Sequence, residues 1–272
     1  MRCLAVAILL AVAASCSVAS LSDGLIAHYA FDGNLRDAIS GSSGMPVGNI
    51  DYQGGREGRC VRLDGIDDYI RIPRLNLEGE ALTLAAWVRA SSYSRNCVFS
   101  NGESTPSYDD GIRYFGIDEN ASLMFVMGIS NTSSDGRTAR TLGDGEWHHI
   151  AYVAERSSGD CSLFIDGQRA HSWQTRAPWG HLNTSADHAI GAFPGAEKPR
   201  KRAHFDGCID EFRVYDRALA DWEVAALASG ESSTRGGEQD GLTLLHHETL
   251  SATATAVDLF ASVGPAAYGH TT

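Results

Sequence analysis

The sequence predicts an all-β fold in which two antiparallel sheets pack as a sandwich or jelly roll, with one short helix near the C-terminal end. Three observations predict it. Asp-Gly occurs nine times in 272 residues, at 23, 32, 64, 110, 135, 144, 166, 206 and 240, and supplies the positive φ that tight hairpins require. Between these turns lie about a dozen short alternating or β-branched stretches, with no regular alternation of strands and helices of the kind βα units would show. A hydrophobic content of 43% allows a substantial core.

Residues 1–19, "MRCLAVAILLAVAASCSVA", place Arg2 before an apolar run and end in small residues, the pattern of a secretory signal. "AASC" ending at Cys16 also resembles a lipoprotein cleavage box, which would anchor the chain by a lipid on Cys16; simple secretion is favoured because the usual Leu before the cysteine is missing. No later stretch reaches the roughly 20 apolar residues of a transmembrane span. The strands expected, in order, are "LIAHYAF" (25–31), "CVRL" (60–63), "DYIRI" (68–72), "LTLAAWVRA" (82–90), "CVFSN" (97–101), "IRYFGI" (112–117), "SLMFVMGI" (122–129), "TARTL" (138–142), "WHHIAYVAE" (147–155), "CSLFIDG" (161–167), "QRAHSW" (168–173), "HAIGAF" (188–193) and "IDEFRVY" (209–215). "LTLAAWVRA" is apolar on both faces and belongs at the centre of a sheet. "ALADWEVAALASG" (218–230) carries Leu219, Val224, Leu227 and Ala228 on one stripe and stops at Gly230, which predicts a helix packed beneath a sheet. Residues 231–272, rich in Ser, Thr, Ala and Gly without a sustained period, read as a flexible tail.

Beyond the leader the chain holds Cys60, Cys97, Cys161 and Cys208, an even number that favours two disulfides in an oxidising compartment. Spacing alone leaves the three possible pairings open. No two of the four lie close enough in sequence for a Cys-x-x-Cys zinc half-site. A net charge of −12 argues against nucleic acid, whose phosphates call for a basic face. "CVRLDGIDDYIRIP" (60–73) concentrates Asp64, Asp67 and Asp68, which read as a corner between strands whose carboxylates bond to backbone amides.

"GLIAHYAFDGNLRDAISG" (24–41), "GGREGRCVRLDGIDDYIRIP" (54–73), "LTLAAWVRA", "GEWHHIAYVAE" (145–155), "LFIDGQ" (163–168) and "FDGCIDEFRVYDRALADWEVAAL" (205–227), taken in this order, resemble a laminin-G-like domain of the concanavalin A-like lectin/glucanase superfamily. The resemblance covers about 24–230. It implies a two-sheet antiparallel jelly roll with its first and last strands side by side. Similar domains hold a structural calcium where those strands converge, which implies Asp32, Asn34 and Asp210 as ligands, a hard-oxygen set that suits calcium. Cys97 with Cys161 and Cys60 with Cys208 are the expected disulfides, because the members of each pair flank strands in comparable positions.

The superfamily includes glucanases, but their Glu-x-Asp-x-x-Glu spacing is absent here, and Asp210 and Glu211, adjacent on a strand, should face opposite sides. Neither a Gly-x-Ser-x-Gly elbow nor a His-Glu-x-x-His pair occurs. The expected function is therefore a secreted, non-catalytic module that binds carbohydrate or an extracellular glycoprotein. A protein-binding adhesion or matrix domain is the first alternative and a divergent glycan-acting enzyme the second. Sugar sites stack aromatic rings on pyranose or furanose faces, and Tyr108, Trp173, Trp179 and His181 are the candidate ligand-binding residues.

Overall fold

The structure is a computed structural model, and it describes residues 20–91, 95–102, 111–127, 136–175, 182–184, 187–193 and 203–230. The leader and the tail expected at 1–19 and 231–272 lie outside the described residues. The strands are β1 (Leu25–Tyr29), β2 (Met45–Val47), β3 (Asp51–Gly54), β4 (Arg59–Asp64), β5 (Tyr69–Ile72), β6 (Ala81–Ala90), β7 (Asn96–Ser100), β8 (Ile112–Ile117), β9 (Ser122–Met127), β10 (Gly136–Thr141), β11 (His148–Glu155), β12 (Asp160–Ile165), β13 (Gln168–Gln174), β14 (His188–Ile190) and β15 (Asp206–Tyr215), followed by helix α1 (Asp221–Ser229).

Among the described residues these strands form two antiparallel sheets. The larger runs β13-β12-β11-β6-β15-β4-β3, with β1 also paired to β15; the smaller runs β10-β9-β8-β7-β14-β5-β2. β6 sits between β11 and β15, as its two apolar faces require. Its even-numbered residues, Leu82, Leu84, Ala86, Val88 and Ala90, enter the core between the sheets, where Phe99, Phe125, Tyr152 and Phe212 meet them. The first and last strands are neighbours, with Leu25 opposite Tyr215 and Tyr29 opposite Phe212.

The outer face of the larger sheet is covered in part by α1, whose Val224 and Leu227 pack with Leu219 on Ala85, Ala151, Val153, Phe164 and Tyr215. Glu223 reaches back to accept the Ala220 N–H at 2.8 Å. Gly230 ends the helix in the left-handed region at φ 72, its N–H bonded to Ala226 O and Leu227 O, a conformation glycine adopts without a Cβ penalty. Cys97, Tyr114, Met124, Phe193 and Ala203 form a separate cluster on the outer face of the smaller sheet.

β15 departs from simple alternation. Its register against β6 shifts by one residue between Asp210 and Arg213, and Glu211 has φ 52. This is a β-bulge, which puts two successive residues on one face. Ile209 and Phe212 both reach the core, so Asp210 and Glu211 lie together on the outer face. The expectation that they face opposite sides is corrected by this extra residue.

Candidate functional site

Asp32 and Asp210 converge on one loop, residues 55–59, which enters β4. Asp32 Oδ1 accepts the Arg59 N–H at 2.7 Å. Asp210 Oδ2 accepts the Arg56 and Glu57 N–H groups at 2.8 and 3.0 Å. Asp210 is fully buried and its Oδ1 has no hydrogen-bond partner among the described residues. Burial, reinforced by the neighbouring Glu211 charge, pushes its pKa up to about 7. A hard cation beside Asp210 Oδ1 would supply the positive charge and the oxygen-seeking partner that this atom lacks, and Asp32 is held by the same loop. Asn34 is turned away from that role, since its Oδ1 accepts the Arg36 N–H at 2.9 Å and its Nδ2 donates to Asp32 O. Asp37 is a turn residue, accepting from the N–H groups of His28, Ile39 and Ser40 and from Ser40 Oγ.

The acidic corner at 64–68 holds three carboxylates whose oxygens lie within 4.8 Å of one another. Asp64 Oδ1 accepts the N–H groups of Ile66, Asp67 and Asp68, and Asp68 accepts those of Asn49 and Asp64. These oxygens face backbone donors, as a strand corner requires.

A second feature, of whose lining sequence reasoning named only Trp173, lies on the outer face of the larger sheet beside the start of α1. It is a groove of about 560 Å³ bordered by β11, β12 and β13. Val153 and Leu219 supply its apolar floor, and Asp160, Ser162, Arg169, Ser172 and Gln174 its polar rim. Ser162 Oγ and Ser172 Oγ are 3.2 Å apart, Gln174 Nε2 donates to Asp160 Oδ1 at 2.9 Å, and Arg169 bonds Ser162 Oγ and Asp221. The rim thus carries hydroxyl, amide, carboxylate and guanidinium groups in fixed relation, a mixture that can donate to and accept from the hydroxyls of a polyol. The sequence carries little signal for it: edge strand β13, QRAHSWQ, is mostly polar and largely exposed without strict alternation.

Trp173 borders this groove, while its ring stacks on His171 at 5.5 Å and lies 6.1 Å from Tyr152. A Cβ on Gly136 would overlap the indole, so the ring also closes the edge between β13 and β10. Tyr108, Trp179 and His181 lie outside the described residues. The adjacent histidines divide as alternation demands. His148 bonds Asp166 and Asp144. His149 is buried edge-on to Trp87 at 5.4 Å, and burial pushes its pKa down to about 3, which keeps it neutral.

The four cysteines are buried thiols in the structure. Cys60 and Cys208 are diagonal neighbours on the paired strands β4 and β15, near enough that each shifts the other's acidity, Cys60 upward and Cys208 down to about 6. Cys97 and Cys161 are not brought together, which corrects that expected pairing. Cys97 sits in the cluster on the outer face of the smaller sheet, whereas Cys161 enters the core from the larger sheet, 3.5 Å from Tyr152 Oη. Flanking a strand says nothing about which face a residue takes, and these two take faces of different sheets.

A two-sheet antiparallel jelly roll of the concanavalin A-like type is what this architecture defines. The comparisons place it more narrowly. A laminin-G family model described as "Concanavalin A-like lectin/glucanases superfamily" matches residues 64–225, and the chain belongs to that family. Human pentraxin-4 is 28% identical over 166 residues, 57% of this chain and 33% of that protein; human neuronal pentraxin-2 is 26% identical over 97 residues, 35% of this chain and 22% of that one. The chain thus spans about a third or less of the length of these relatives. Among solved structures, domain 4 of AbnA, a GH43 extracellular arabinanase from Geobacillus stearothermophilus in complex with arabinotriose, matches with a TM-score of 0.62 and 26% identity, covering 75% of this chain and 98% of that one. The binding domain of botulinum neurotoxin DC in complex with SialylT shares the fold at 16% identity and TM-score 0.59, over 78% of this chain and 53% of that one.

Proposed function

We propose that this domain is an extracellular, non-catalytic carbohydrate-binding module whose sugar site is the β11–β13 groove. The observation that carries the reading is the match to the arabinanase domain, which spans nearly all of that domain and was solved with an oligosaccharide bound. The groove supports it chemically, with an apolar floor for the carbon face of a sugar and a rim of paired donors and acceptors for its hydroxyls. A binding role also agrees with the burial of Asp210, which removes one member of the only adjacent acidic pair on β15 from any contact with substrate.

Calcium belongs to the same proposal as a stabilising ion, with Asp32 and Asp210 as its side-chain ligands. Bound there it would supply positive charge between the first strand's loop and the last strand. The residues themselves hold the 55–59 loop against β15.

A glycan array followed by calorimetry on arabino-oligosaccharides tests the reading. Ser172→Trp, which places an indole over the groove at an exposed edge position, is expected to reduce affinity at least tenfold while leaving the melting temperature within about 2 °C. Binding that is unchanged in Ser172→Trp, or a protein that captures glycoproteins only after their glycans have been removed, contradicts it and favours the protein-binding alternative.

A further inference from the structure

We infer that Cys60 and Cys208 form a structural disulfide that closes during folding and ties β4 to β15, and that Cys97 and Cys161 remain thiols. The two reactive positions lie on the same outer face of adjacent strands. Cys208 is paired in register with Arg62 and Ile209 with Val61, which puts Cys60 diagonally across from Cys208. Antiparallel pairing of β4 with β15 thus sets the two side chains side by side on one face, close enough to interact directly, which is the juxtaposition a bond between them needs.

The surroundings decide between a disulfide and a metal. Cys208 Sγ accepts from Gln53 Nε2 at 2.6 Å and from the Arg89 guanidinium at 3.4 Å. A metal ion on this sulfur would sit beside a permanent cation, which argues against it. A disulfide sulfur keeps both acceptor contacts. The Cys60 thiol donates to Gly54 O at 3.5 Å; the disulfide gives up that donor and ties the same position, beside the strand end from which the 55–59 loop departs, to β15 instead.

Burial decides between a staple and a switch. Cys60 is 0% and Cys208 2% exposed, and thiol–disulfide exchange needs an attacking sulfur in line with the bond. Small reductants cannot reach the pair in the folded domain. The bond therefore forms while β15 is still open. Exchange with a low-molecular-weight disulfide RSSR converts both thiols to one disulfide and releases two RSH, the electron pair of the new S–S bond being matched by reduction of RSSR.

The test uses the full mature chain refolded in a glutathione/glutathione-disulfide buffer. A non-reducing digest of the denatured, iodoacetamide-treated protein is expected to give one peptide linked through Cys60 and Cys208, two hydrogens lighter than its reduced parts, with Cys97 and Cys161 alkylated. Dithiothreitol is expected to leave the link intact for hours in native buffer and to cleave it in guanidinium chloride. The oxidised protein should melt roughly 10 °C above the Cys60→Ala/Cys208→Ala double variant, because the bridge closes a long segment of chain. Separate alkylation of Cys60 and Cys208, or a link from either to Cys97 or Cys161, overturns the assignment. Rapid cleavage in native buffer overturns the staple and leaves a labile redox pair.

Discussion

Asp210 has one oxygen held by two backbone amides and the other buried without a partner. With its pKa raised from the ordinary carboxylate range to about 7, the folded state retains a proton that the unfolded chain has already lost between these values. Proton binding by the folded state stabilises it, so stability falls as pH rises from about 4 to about 7 and levels off above that. Urea unfolding in the presence of a chelator is expected to show this slope, and Asp210→Asn to flatten it; an unchanged slope in the variant would mean that another group carries it. In calcium the slope should also shrink, because the ion takes the proton's place. Gly58 tests the other half of the same site. It holds φ +51, and a Cβ there would overlap Asp32 Oδ1. Gly58→Ala is therefore expected to cost about 2 kcal/mol in chemical denaturation, from backbone strain and the displaced Asp32–Arg59 bond.

At the scale of elements, α1 is held by few side chains, of which Leu227 is 5% exposed in the cluster over Ala85 and Tyr215. Leu227→Ala is expected to destabilise the domain by about 2–4 kcal/mol, read as a lower urea midpoint, while Trp222→Ala, exposed at 51%, should change it little. The elements also show what a sequence can and cannot announce. β6, β8 and β11 are legible because each buries a run of apolar residues whose period is fixed by the pleat. β2 and β3 are not: "MPV" and "DYQG" are short edge strands, mostly exposed, with a Pro and a Gly that blunt the pattern. The corner at 64–68 is legible because Asp and Gly have local reasons to be there. The bulge at Glu211 is not, since nothing in "IDEFRVY" marks which residue takes a positive φ. The groove was hidden for a related reason. Its rim is assembled from serines, a glutamine, an arginine and an aspartate on two strands, none of which carries an aromatic or metal-binding signature alone.

For the whole molecule, antiparallel pairing of β1 with β15 joins the two ends of the described domain and brings the Asp32 loop to the Asp210 bulge. The two features of interest share the larger sheet: the acidic junction near β1, β4 and β15, and the groove at β11 to β13. Because they lie apart on that sheet, metal removal should lower the melting temperature more than it lowers sugar affinity. A chelator titration followed by both readouts checks this separation, and parallel loss of the two would show that they are one site. Backbone amide NMR during titration with arabinotriose tests the central claim most directly. The account predicts shifts concentrated at Ser162, Arg169, Ser172 and Gln174, with Cys97 and its neighbours on the smaller sheet unmoved; saturable shifts confined to the smaller sheet, or none at millimolar sugar, would contradict it.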